Sequence, residues 1–198
     1  MRTAVIFNYN SKFISHIVKT INRYNFLYPK KAFSIYVCDA KDFSKESLAG
    51  PADIIIHSGG DGRPVIEDVK GVPRFYICHS HQWKAKTEGG RVVRLKDYIR
   101  RVQTIDVLGN DEILGKKGKM PIMQYHRLAV TNSPRYAKIL ATSRAIDKDG
   151  EEIEVIEALK YPNESVSVQG HPEEGAAAHI FYNFFDKADR ESKEKQNT

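Results

Sequence analysis

Two segments far apart in the chain hold residue types that could do nucleophilic chemistry: Ile77-Cys78-His79-Ser80-His81-Gln82 and Val168-Gln169-Gly170-His171-Pro172-Glu173. A cysteine attacks as a thiolate, so it needs an imidazole to manage its proton and a carboxylate to fix that imidazole's tautomer. Cys78, His171 and Glu173 supply one of each. Pro172 stiffens the bend between the last two, which lets the carboxylate turn back onto the ring. A third segment, Ser58-Gly59-Gly60-Asp61-Gly62, ends another apolar run. Glycines there would let backbone amides approach a developing oxyanion, a contribution on the order of 3 kcal/mol per donor.

These groups need elements to position them. Ala4 to Phe7, Phe33 to Cys38, Asp53 to Ile56, Phe75 to Ile77 and Val166 to Val168 read as strands. Ile14, Ile17, Val18 and Ile21 fall at helical spacing, and further helices are expected over Lys45 to Leu48, Ser80 to Glu88 and Ala176 to Phe185. Strands separated by helices predict an α/β fold with a parallel sheet covered on both faces, its reactive atoms beyond the carboxyl ends of the strands. Cys78 would then stand on a strand-to-helix turn, where the partial positive charge of a helix start favours a thiolate. From Gly90 to about Ile146 the pattern changes to short β-rich runs, read as antiparallel hairpins. Asp149-Gly150 is the expected turn between Ala141 to Ile146 and Ile153 to Leu159. The basic stretch Lys116 to Lys119 reads as a loop, and residues 190–198 as a flexible polar tail.

A chain of 198 residues fits one domain, taken as residues 1–189, and its 41% apolar and 28% charged residues are those of an ordinary globular protein. No run approaches the roughly 18 apolar residues of a membrane span, and the segment after Met1 turns polar too early for a secretory signal. A cytoplasmic location is expected. Cys38 and Cys78 lack metal-ligand spacing, so neither a metal site nor a structural disulfide is expected. The formal charge of +6 is spread among acidic residues without an aromatic-basic binding motif, and nucleic acid is not an expected partner.

The motifs resemble those of the class I glutamine amidotransferases, whose nucleophile segment reads roughly G-x-C-x-G-H-Q and whose distal segment reads Q-F-H-P-E. The resemblance covers nearly the whole chain in order. It implies a flavodoxin-like fold, a mostly parallel central sheet with helices on both faces plus a small antiparallel β subregion. It also implies Cys78 as nucleophile, His171 as base and Glu173 as orienting carboxylate. The segment at Ser58 resembles S-G-G-P, making the amides of Gly60 and His79 the oxyanion donors and Gly59 a substrate contact. Gln82 matches the glutamine-contacting position, and His126 matches one residue of an S-H-x-D stretch that touches the substrate's amino-acid head. The activity implied is hydrolysis of glutamine, or another γ-glutamyl amide, through a Cys thioester without a cofactor. The ammonia would go to a synthetase, and a partner subunit is implied because no synthetase domain is present.

The chain departs from the pattern at Tyr76 and Ser80, where the family usually has small residues, and at Tyr125 and Leu128, in place of Ser and Asp. Gly170, standing where Phe is usual, is expected to open space for the Tyr76 ring. The tripeptide Ile77-Cys78-His79 also looks like the I-C-H segment of related intracellular proteases and deglycases, but the Glu that follows their first strand is missing here. Two alternatives follow: a γ-glutamyl hydrolase or peptidase with the same triad, and a catalytically silent homologue with a binding or regulatory role.

Overall fold

The computed structural model describes residues 2–39, 52–62, 71–162 and 165–196. In chain order the elements are β1 (Arg2–Tyr9), α1 (Ile14–Leu27), β2 (Phe33–Asp39), β3 (Ile54–Gly60), β4 (Arg74–Ile77), α2 (His79–Thr87), β5 (Arg91–Val107), β6 (Gly118–Asn132), β7 (Lys138–Ile146), β8 (Glu152–Lys160), β9 (Val166–Val168) and α3 (His179–Gln196). The helix expected over Lys45 to Leu48 lies outside the described residues.

The nine strands of the described residues join one sheet in the order β2-β1-β3-β4-β9-β8-β6-β5-β7, and a further β8–β7 pairing folds the last four strands back on themselves. The pairings of β1 with β2 and β3, of β3 with β4 and of β4 with β9 are parallel. Every pairing among β5 to β9 is antiparallel. The expected mostly parallel sheet with a small antiparallel subregion is corrected on this point: the sheet is mixed. β5 and β6 alone run for 17 and 15 residues. They pair with each other along nearly their whole length, but most of β5 faces solvent, so a long ribbon shows little apolar alternation in the sequence. The Asp149-Gly150 turn does join β7 to β8, with Ile146 opposite Glu152.

The parallel half is buried on both faces. Ala4, Ile6, Ile54, Ile56, Phe75 and Ile77 face one cluster with Ile17, Ile21 and Tyr24 of α1 and Ile180, Phe181, Phe184 and Phe185 of α3. α2 packs on the other face, where Ala85 meets Val130, Ile156, Leu159 and Tyr161. His81 crosses from α2 to the sheet: its Nε2 donates to the Ile156 carbonyl at 3.1 Å, so Nδ1 accepts the Ser167 hydroxyl at 2.7 Å. Burial lowers its pKa to about 3, which keeps the ring neutral in that role. α3 continues to Gln196, and residues 190–196, expected as a flexible tail, are its last turns. Their amphipathic register is carried on by the Lys193–Asp189 ion pair at 2.9 Å.

Tyr76 has a different neighbour from the one expected. Gly170 packs on Ile122, and a Cβ there would stand 2.7 Å from the Ile122 side chain. The Tyr76 ring instead stacks on His57 of β3, directly across the parallel ladder, with centroids 4.3 Å apart and planes 9° from parallel. Burial drives the pKa of His57 far below its usual value, and Tyr9 Oη pairs with its Nδ1 at 2.8 Å. The Tyr76 hydroxyl is buried without a hydrogen-bond partner among the described residues. We therefore expect Tyr76→Ala to destabilise the fold by about 3–5 kcal/mol in chemical denaturation, as loss of a buried aromatic does. Tyr76→Phe should be neutral or slightly stabilising, because it removes an unpaired buried polar atom.

Candidate active site

The candidate groups meet where β1, β3, β4 and β9 end. Cys78 is the junction of β4 and α2, with φ 50° and ψ −103°, a backbone conformation that a side-chain-bearing residue rarely takes. Its N–H donates to the Val168 carbonyl at 2.8 Å, and its carbonyl accepts from the Gln82 N–H at 3.0 Å. The first bond ties the turn to β9 and the second starts the helix. Sγ lies 3.6 Å from the Tyr125 carbonyl and 3.7 Å from Gln169 Nε2. Ser80 fits where the family has glycine because its hydroxyl donates to the Ser58 carbonyl at 2.5 Å.

His171 follows β9 and leads into a short 3₁₀ turn, Pro172–Glu174. Its N–H donates to the Met123 carbonyl at 2.8 Å, which fixes the loop against β6. Its Nδ1 donates to Glu173 Oε1 at 2.8 Å, and both side chains are buried. Nε2 has no ordinary hydrogen bond among the described residues, yet the Cys78 sulfur is close enough to act on its proton. Burial works against the imidazolium, but the Glu173 carboxylate and then the Cys78 sulfur outweigh it and push the pKa up to about 10. The ring is thus held protonated beside the sulfur. Phe13 covers it, 4.5 Å between ring centroids.

Gly59 is wedged between the two reactive side chains: a Cβ there would stand 3.2 Å from His171 Cε1 and 3.4 Å from Cys78 Cβ. Gly60 has φ 121° and a Cβ on it would collide with the Tyr9 carbonyl at 1.9 Å, so only glycine can turn the chain here. His79 opens α2, where N–H groups have no intrahelical acceptor and remain free to donate. Its side chain is engaged elsewhere, with Nε2 donating to the Gly62 carbonyl at 3.0 Å. Burial lowers its pKa, so it ties down the β3 loop as a neutral ring.

A cavity of about 280 Å³ opens over Cys78, His171 and Gly60. Gln82 and His126 do not line it. Gln82 Nε2 donates to the Leu128 carbonyl at 2.7 Å and to Gln169 Oε1 at 3.1 Å. His126 Nδ1 donates to the Leu128 carbonyl at 2.8 Å, and burial lowers its pKa to about 4. Successive strand residues face opposite sides, so β6 presents Tyr125 to the cavity and turns His126 beneath it. In that layer Glu157 accepts from Ser143 Oγ at 2.6 Å and from Gln124 Nε2 at 2.8 Å. Burial raises its pKa to about 6 against those bonds. Sequence reasoning gave no role to Lys12, Phe13, Asp61, Tyr98 or Tyr125, all of which line the cavity. The one available signal was that Lys12, Phe13 and Asp61 also follow strand ends.

The class-I glutamine amidotransferase family matches residues 35–188. The glutamine-hydrolyzing GMP synthase subunit of Pyrococcus abyssi is 31% identical over 139 residues, 65% of this chain and 70% of that protein. Among solved structures, a Thermoplasma acidophilum protein described as a GMP synthase subunit superposes with a TM-score of 0.77 at 18% identity, covering 100% of this chain and 98% of the other. The glutaminase domain of Trypanosoma brucei CTPS, with bound acivicin, gives 0.70 at 15% identity and coverages of 96% and 94%. These two share the fold. With a family match over most of its length, the chain belongs to the class-I glutamine amidotransferases.

Proposed function

We propose that the protein hydrolyses the side-chain amide of glutamine through a thioester on Cys78 and delivers ammonia to a synthetase partner. The observation that carries this reading is the meeting of Cys78 Sγ, the His171–Glu173 pair and Gly60 at one cavity, in a chain of this family. His171, held protonated by Glu173 and the sulfur, enters as the acid. Cys78 attacks the amide carbon, the carbonyl oxygen becomes an oxyanion facing the N–H groups of Gly60 and His79, and His171 gives its proton to the departing ammonia. The ring, now neutral, takes a proton from water, and the resulting hydroxide cleaves the thioester to glutamate and restores Cys78. The Pyrococcus abyssi relative, named as one subunit of GMP synthase, makes a separate synthetase chain the first partner to test. Tyr125 in place of the family's Ser leaves hydrolysis of another γ-glutamyl amide as the second reading. The stacking of the Tyr76 ring on His57, outside the cavity lining, favours a working site over the silent-homologue reading.

Ammonia release from glutamine should vanish in Cys78→Ala, fall about 1,000-fold or more in His171→Asn and fall less in Glu173→Gln, with the fold intact by circular dichroism. Acivicin should label Cys78 and spare Cys38. Equal labelling of both, or turnover by Cys78→Ala, would overturn the assignment.

The pH profile gives an independent check. A raised imidazole pKa means that the working proton is present below about pH 10 and lost above it, so kcat/KM should have its alkaline limb near pH 10. In Glu173→Gln that limb should move to lower pH, because the largest influence holding the proton has been removed.

Gly59→Ala tests the spacing of the pair. Its methyl would press on His171 Cε1 and Cys78 Cβ, and a displacement of a few tenths of an ångström should cost about tenfold in kcat with little change in stability.

A further inference from the structure

The Cys78 sulfur has a neighbour that the proposed chemistry leaves unused. Gln169 follows β9, and its N–H donates to the Glu157 carbonyl of β8 at 2.7 Å. Its side chain is fully buried and brings Nε2 to 3.7 Å from Cys78 Sγ. Neither Gln169 nor Gln82, which holds it, lines the cavity, so both meet the sulfur's surroundings from the buried side.

A main-chain group sets the direction of this contact. The Leu128 carbonyl can only accept, so Gln82 must turn its NH2 end toward it, at 2.7 Å. The same nitrogen has a second hydrogen and gives it to Gln169 at 3.1 Å, a bond that only the amide oxygen of Gln169 can receive. That leaves the NH2 end of Gln169 facing the sulfur. Reversing either amide would bring two donors or two acceptors together in the interior, where an unmade bond is penalised.

The sulfur thus has two fixed neighbours of opposite preference. The Tyr125 carbonyl, 3.6 Å away, can only accept and suits the S–H form; the Gln169 N–H can only donate and suits the thiolate. The titratable groups that share the cavity with the sulfur are His171, backed by Glu173, together with Lys12, Asp61, Tyr98 and Tyr125. Near the turn, His79 and His126 have pKa values lowered by burial.

We infer that Gln169 is the donor that holds the Cys78 sulfur in its charged form, and that Gln82 is a positioning residue that aims it rather than a contact for the substrate. Before attack the N–H stabilises the anion. In the thioester the sulfur is bonded to carbon and this hydrogen bond weakens. When hydroxide adds and the carbon–sulfur bond breaks, the electron pair stays on Sγ and the same N–H receives it. This rests on Cys78 being the nucleophile of the reaction proposed above.

The test follows alkylation of Cys78 by iodoacetamide across the range from about pH 4 to about pH 10, without glutamine, with peptide mass spectrometry separating Cys78 from Cys38. Gln169→Met keeps the length of the side chain and removes the donor. The acid limb of its profile should move up by about 1 pH unit, a roughly tenfold slowing on that limb, as expected for a hydrogen bond to a charged group, while the rate at high pH stays near that of the wild type. Gln82→Met should move the limb the same way by less, because Gln169 keeps its donor and loses its aim. In turnover of glutamine both variants should lose kcat with KM nearly unchanged. A limb left in place in Gln169→Met, or equal slowing at every pH, would overturn the inference. A Gln82→Met variant that alkylates as the wild type does and has a raised KM would return Gln82 to the substrate and overturn its positioning role. Should Gln169→Met not fold, the Gln82→Met profile decides alone. The expected limbs in a chain that releases no ammonia would defeat the proposed activity and leave the donor assigned. Ammonia release by the wild type, with the limb unmoved in both variants, would do the reverse.

Discussion

The site depends on the backbone of one residue. Cys78 at φ 50° carries strain on the order of 1–3 kcal/mol, and a strand that ended freely would relax it. It cannot relax because β4, only four residues long, is paired on both edges, with β3 on one side and β9 on the other. The bond from the Cys78 N–H to the Val168 carbonyl extends the β9 ladder into the turn itself. α2 then starts at the next residue and is pinned by His81 to β8 and β9. The same clamping explains Tyr76. The family's small residue before the nucleophile relieves crowding, whereas here the crowding is accommodated by a second flat ring, His57, lying parallel to Tyr76 on the next strand.

This arrangement also accounts for what could be read from the amino-acid sequence. Cys78, His171, Glu173 and the glycines stood out because each lies at the end of a buried strand or a few residues beyond it, and buried parallel strands give uninterrupted apolar runs. The ribbon was legible as antiparallel strands but not in its length, because an exposed antiparallel pair draws its stability from backbone pairing, and its outward side chains can be Arg, Lys and Tyr without penalty. Gln82 and His126 were the least legible. Their types suit substrate contact, but which face of α2 or β6 they occupy depends on register, and a shift of one residue on a strand exchanges the two faces. Residues 190–196 misled for a related reason, since a polar composition does not distinguish a solvated helix end from a loose tail.

Beneath the cavity the chain buries Gln82, Gln124, His126, Glu157 and Gln169, residues that seldom go inside. All five are bonded to one another or to the Leu128 carbonyl, which is the condition for tolerating them, and only Gln124 Oε1 and His126 Nε2 of this group are left without a partner among the described residues. They replace apolar packing under a thiol that has to meet a charged partner. Gln169 shows the advantage. Its amide oxygen is occupied by Gln82, so its Nε2 is oriented toward Cys78 Sγ. An apolar residue at that position would have left the sulfur without a donor on its inner side, opposing the negative charge that a nucleophile has to carry.

The two halves of the sheet therefore contribute different things. The parallel strands hold Cys78 through short bonds between main-chain atoms, and β6 of the antiparallel half holds His171 in the same way through the Met123 carbonyl. The ribbon and the β1–α1 connection form the outer wall of the cavity with the side chains of Tyr98, Tyr125 and Lys12, mounted on a bulge and a loop. Backbone-defined geometry withstands substitution at neighbouring positions; side-chain-defined geometry changes with each one. The loss of the family's Ser and Asp at Tyr125 and Leu128 falls in the second category. Neither residue forms the turn at Cys78; Tyr125 lines the cavity and Leu128 does not, so the change at Tyr125 alters the cavity wall while the reacting groups stay in place.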